Sequence, residues 1–141
     1  MTGNATDAAL ALTHPRHFLL SDEGCSRVVY LINGVVYKVN RGRFLDNEEE
    51  FYNGEAMREA MRADNVFIPA MAMYGDVLAM EYISGELTGE CMASVIGLPC
   101  DCPDMCIPAP MLAHLTNMGW RDAAYGNAIW CDGSLYLIDV A

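Results

Sequence analysis

The sequence predicts an α+β fold: a small antiparallel lobe of five strands with one helix, then a shorter second region. Three observations carry that expectation. Two β-branched runs, Val28 to Ile32 and Val35 to Val39, flank Asn33-Gly34, the strongest short-range signal for a hairpin. The stretch Asp46 to Arg62 then changes to helix-forming residues, and a further pair of apolar runs follows it. Near the end, Ala128 to Cys131 and Leu135 to Val140 flank Asp132-Gly133, a second hairpin signal.

Taken in order, residues 1–17 read as a loosely ordered leader or a short first helix. A short apolar run begins at Phe18 and gives way to the turn residues Ser21 to Gly24. After the basic turn Arg41-Gly42-Arg43 the helix is expected, with Asp46 or Asn47 as its cap and Phe51, Ala56, Met57, Ala60 and Met61 on one face. Val66 to Met73 and Val77 to Ile83 read as two strands joined at Gly75-Asp76. Between Ser84 and Pro110 prolines, glycines and cysteines interrupt any period, so a short helix near Gly89 to Ile96 and then loop are expected. Met111 to Met118 has helical spacing and stops at Gly119. The division expected is a leader at 1–17, a sheet-and-helix lobe at 18–83 and a reduced second lobe at 84–141, packed as one compact domain.

Composition narrows the functional classes. With 53% hydrophobic and 19% charged residues, the chain is too apolar for a disordered protein. Its formal charge of −11 argues against nucleic acid and anionic membrane surfaces as partners. A nucleotide remains compatible if a divalent cation and one well-placed Lys supply local positive charge. No basic residue precedes the short apolar stretch before Leu12, and no run of 18 apolar residues occurs. The reading is a cytoplasmic protein whose six cysteines are reduced. Cys91, Cys100, Cys102 and Cys106 invite a zinc reading, although C-x-C-x-x-x-C is not an established zinc spacing.

Several segments carry chemistry. Lys38 stands within Val36-Tyr37-Lys38-Val39, and an ammonium in the middle of an apolar strand needs a compensating anion. Asn47-Glu48-Glu49-Glu50 opens the helix that follows. Ala79-Met80-Glu81-Tyr82-Ile83-Ser84-Gly85 is an apolar strand end. Gly119-Trp120-Arg121-Asp122-Ala123-Ala124-Tyr125-Gly126-Asn127 sets Asp and Asn five apart, with Gly before the Asn. Twelve residues later, Leu137-Ile138-Asp139-Val140-Ala141 closes an apolar strand with an acid.

In this order the segments resemble the protein-kinase and aminoglycoside-phosphotransferase superfamily over residues 18–141, in a reduced form similar to small bacterial and phage relatives. The resemblance implies a kinase-like fold that binds ATP and Mg²⁺ and passes a γ-phosphoryl group to a hydroxyl of a protein or a small molecule. It implies Lys38 as phosphate ligand, paired with Glu50 of the Asn-x-x-Glu helix start, with Glu49 and Glu55 as alternatives; it also implies Glu81, Tyr82 and Ile83 as backbone partners of the adenine edge, and Gly24 in the loop over the phosphates. Asp122 would orient or deprotonate the acceptor, and Asn127 and Asp139 would hold the metal. The sequence departs from the family in having one glycine near Gly24, Trp120 where His is usual, Val140-Ala141 in place of Phe-Gly, and no activation segment after Asp139. Those departures support a second reading, a pseudokinase that acts as a protein-binding module and forms a homodimer to replace missing helices. Each residue also has a plain explanation: Lys38 as an edge-strand lysine reaching water, Glu48 to Glu50 as a solvated first turn, Asp122 and Asn127 as turn residues.

Overall fold

The computed structural model describes residues 2–14, 16–21, 26–87, 107, 109–120 and 127–140. Gly24, Asp122, the cysteines 91, 100, 102 and 106, and the helix expected near Gly89 to Ile96 lie outside the described residues. The chain is α+β and forms two compact units, one from Met1–Tyr52 and Pro69–Tyr82, the other from Asn53–Ile68 and Ile83–Val140. Among the described residues no helix is long and apolar enough to cross a membrane.

The first unit is built on a five-stranded antiparallel sheet: β1 (Leu19–Ser21), β2 (Arg27–Ile32), β3 (Val35–Asn40), β5 (Met71–Tyr74) and β6 (Val77–Glu81), in the order β1-β2-β3-β6-β5. Asn33 and Gly34, with φ of 51° and 77°, make the β2–β3 turn, and both positive values are the ones a two-residue hairpin of the favoured hand requires. Register follows from that turn, with Ile32 opposite Val35 and Val29 opposite Lys38. Because side chains alternate, Tyr37 and Lys38 take opposite faces of β3.

Tyr37, Tyr30, Ile32, Val77 and Ala79 form one apolar cluster with Ala8 and Ala11 of helix α1 (Ala5–Thr13). The N-terminal residues therefore form a helix that covers a sheet face. Asn4 caps it, its side chain accepting from the Asp7 amide at 2.8 Å. The Asn4 amide donates to Tyr37 Oη at 3.2 Å, and Tyr74 Oη donates to the carbonyls of Thr2 and Gly3, each at 2.9 Å. Small Ala residues let the helix lie close, and these polar ties fasten its start.

Helix α2 (Asp46–Arg62) gives its first residues to this unit and the rest to the second. Its buried stripe is Asn47, Glu50, Gly54, Met57 and Met61, while Ala56 and Ala60 are exposed. The expected apolar face is thus corrected: the helical period is obeyed, but two polar residues belong to the buried side. The expected cap is corrected too. Asp46 and Asn47 lie inside the helix, and the Asn47 amide is satisfied by Asn40 Oδ1 at 3.1 Å, from the end of β3.

The second unit holds β4 (Val66–Phe67), β7 (Glu86–Leu87), helix α3 (Ala109–Asn117), β8 (Ala128–Cys131) and β9 (Ser134–Leu137). Its sheet runs β4-β9-β8-β7, with β4 parallel to β9 and the other pairs antiparallel. Val66 to Met73 is therefore not one strand: Val66–Phe67 and Met71–Tyr74 belong to different sheets. Pro69 between them has no N–H to continue a ladder and restricts the residue before it. Gly119, with φ of 115°, ends α3, and the Trp120 amide returns to the Leu115 carbonyl at 3.2 Å, the six-to-one bond of a Schellman stop. Trp120, Leu115, Ile107, Met61, Val66, Leu135, Leu137 and Val140 are fully buried and form the core of this unit.

Candidate functional site

Lys38 is on β3, which lies between β2 and β6, so it is not an edge-strand lysine. It is only 5% exposed. A cation there is tolerable only with an anion at hand, because removing an ion from water costs several kcal/mol, on the order of a whole domain's margin of stability. The anion is Glu50, whose Oε1 accepts from Lys38 Nζ at 2.6 Å. The helix period explains the choice among Glu48, Glu49, Glu50 and Glu55. Glu50 is three residues after Asn47 on the buried stripe, Glu49 and Glu55 face solvent, and Glu48 Oε2 accepts from Asn40 Nδ2 at 3.2 Å.

Two residues not chosen from the sequence complete this cluster. Arg27 is 6% exposed, and its Nη1 donates to the same Glu50 Oε1, also at 2.6 Å. In the β2–β3 register Arg27 opposes Asn40 while Val29 opposes Lys38, so Arg27 and Lys38 are diagonal neighbours on one sheet face. The signal available was alternation: Arg27, Val29 and Leu31 share a face once the hairpin register is fixed. Asn47, fully buried, donates from Nδ2 to the carbonyls of Lys38 and Asp76, both at 2.7 Å. It thereby ties the start of α2 to β3 and to the β5–β6 turn. Ser26 Oγ also donates to Asp46 Oδ2 at the head of the helix.

Glu81 ends β6, and its amide donates to the Ala70 carbonyl at 2.9 Å. Of the groups expected to meet an adenine edge, that N–H is therefore already engaged. Tyr82 is 45% exposed, and Ile83 is half-buried.

In the second unit Asn127 and Asp139 are brought to the same end of the β8–β9 hairpin. The Ile138 amide donates to the Asn127 carbonyl at 3.0 Å, one step beyond the Ala128–Leu137 pair, and Asp139 follows directly. Side chains from elsewhere in the unit hold this strand end. Trp120 Nε1 donates to the Asp139 carbonyl at 2.8 Å, and Asn53 Nδ2 donates to the Val140 carbonyl at 3.1 Å. Trp120 needs such an acceptor because it is fully buried and its indole N–H cannot reach water. Asn127 and Asp139 are both half-buried.

Among the described residues no group of three or more His, Cys, Asp or Glu side chains converges as a complete metal cage. Comparison with models of known protein families gives no match, and comparison with curated proteins gives none either.

Proposed function

We propose that this chain is an ATP- and magnesium-dependent phosphotransferase of the kinase-like kind, passing a γ-phosphoryl group to a hydroxyl of a protein or small molecule. One observation carries the reading. A lysine on the third strand is held at 2.6 Å by a glutamate on the next helix, both buried, and this is the ion pair that protein kinases require for transfer. An isolated surface Lys–Glu pair would say little, but a pair buried at the cost of desolvation needs a reason.

In this reading Lys38 binds the nucleotide phosphates and Glu50 orients it. Asn127 and Asp139 would hold Mg²⁺, which supplies neutralisation of phosphate charge when bound. Asp122 accepts the proton of the acceptor hydroxyl or orients it. Backbone groups of Glu81, Tyr82 and Ile83 meet the base, with the Glu81 carbonyl rather than its engaged amide as that residue's contribution.

Thermal unfolding with and without ATP and Mg²⁺ tests the proposal, since a ligand at 100 times its Kd adds about 2.7 kcal/mol. The expected result is an upshift that requires both components and that Asp139→Asn removes. Asp122→Asn should retain the shift and lose transfer of labelled phosphate. A chain that shows the shift but transfers no phosphate to protein, sugar or water would be a nucleotide-binding module. Absence of any shift at millimolar nucleotide would reject the nucleotide site.

A further inference from the structure

Arg27 has no part in the site as read from the sequence, yet it is as buried as Lys38 and bonds the same carboxylate oxygen at the same 2.6 Å. We propose that Arg27 is a positioning residue for the phosphate site, holding Glu50, and through it Lys38, in the geometry that receives a nucleotide. The inference rests on the reading of Lys38 as phosphate ligand.

The chemistry of the two cations differs. Lys38 carries a point charge on a flexible four-carbon stem, and in the proposed role its ammonium must serve Glu50 and a phosphate at once. A second anion competing for that ammonium weakens its hold on the first. Arg27 answers this need: its guanidinium is planar and permanently charged, and it approaches from β2, whose pairing with β3 fixes its origin. The same Nη1 lies 3.4 Å from Asn47 Oδ1, so the guanidinium also reaches the first turn of α2. Glu50 Oε1 therefore keeps a cationic donor when Lys38 turns a proton toward phosphate.

The test is a thermodynamic cycle on the full chain, reading MgATP affinity by calorimetry and folded fraction by circular dichroism. Arg27→Met keeps the stem and removes the charge. It should raise the Kd for MgATP about tenfold, because Lys38 then keeps its protons on Glu50 instead of turning one to phosphate. In the Glu50→Gln background the same substitution should change Kd less than about twofold, because the route through the carboxylate is already cut. Arg27→Lys should recover most of the affinity, leaving a loss of about threefold. If Arg27→Met does not fold, Arg27→Lys carries the cycle alone, and its loss should likewise vanish in the Glu50→Gln background. Parent-like affinity in the folded variants, or an equal loss in both backgrounds, would overturn the proposal while leaving the nucleotide site standing. A parent chain that does not bind MgATP would overturn both.

Discussion

The molecule contains two hairpins made with the same turn chemistry and used in different ways. The β2–β3 turn has Asn33 and Gly34 at φ of 51° and 77°, and the β8–β9 turn has Asp132 and Gly133 at 50° and 79°. In β3 the polar residue of interest, Lys38, sits mid-strand with a neighbour on either side, so its charge must be met by a residue from outside the sheet. In β8–β9 the polar residues Asn127 and Asp139 sit at the open end, where backbone groups take the last ladder bond and side chains pin the carbonyls. The difference teaches that a mid-strand ion must draw its counter-ion from another element, whereas polar residues at a strand end are placed by backbone bonds.

The largest test of that contrast is Glu50→Ala. Removing a carboxylate that two buried cations share should cost about 3–5 kcal/mol in denaturant unfolding. A loss under 1 kcal/mol would mean the cluster is solvated and the contrast is false. Trp120→Phe comes next. It keeps most of the buried ring but removes the donor to the Asp139 carbonyl, and should cost about 1–3 kcal/mol. The paired variants Gly34→Ala and Gly133→Ala sharpen the comparison from the other side. An added Cβ meets nothing within 4 Å at either turn, so the penalty is conformational alone, about 1–2 kcal/mol, and should be alike in the two hairpins. Asp139→Asn should remove the Mg²⁺-dependent upshift in thermal unfolding.

The opposite face of β3 gives the smallest effect. Burial pushes the Tyr37 hydroxyl above its ordinary value of 10.0, against the lowering influence of the Asn4 amide. A raised folded pKa contributes stability that is complete below pH 10 and is lost as pH climbs through the folded value. Chemical unfolding midpoints should therefore fall in strong base more steeply for the parent than for Tyr37→Phe.

Much of the fold was legible because its signals are local. Asn33-Gly34 and Asp132-Gly133 each declare a turn within a few residues, and α2 follows from its composition and period. What escaped reading depended on tertiary pairing. Val66 to Met73 looks like one apolar strand, and only the assignment of its halves to two sheets reveals Pro69 as a boundary. The buried stripe of α2 was misjudged because Asn47 and Glu50 are polar by type and became core residues only by finding Lys38 and Arg27. Lys38 and Glu50 themselves could be named from the order strand, lysine, helix, glutamate. Arg27 was legible only through the register that Asn33-Gly34 sets, which puts it on the face of β3 that carries Lys38.

The parallel pairing of β4 with β9 bears on the order of assembly during synthesis. Every pairing of the first sheet closes once Glu81 has been made, and its hairpins form in roughly 1–10 μs. Val66 must wait for Leu135, roughly 70 residues later, which at ribosomal speed is several seconds. During that interval β9, the strand that pairs with β4, is not yet made. Nascent chains stalled before β9 should therefore protect the amides of β3 from exchange while leaving those of Val66 and Phe67 open.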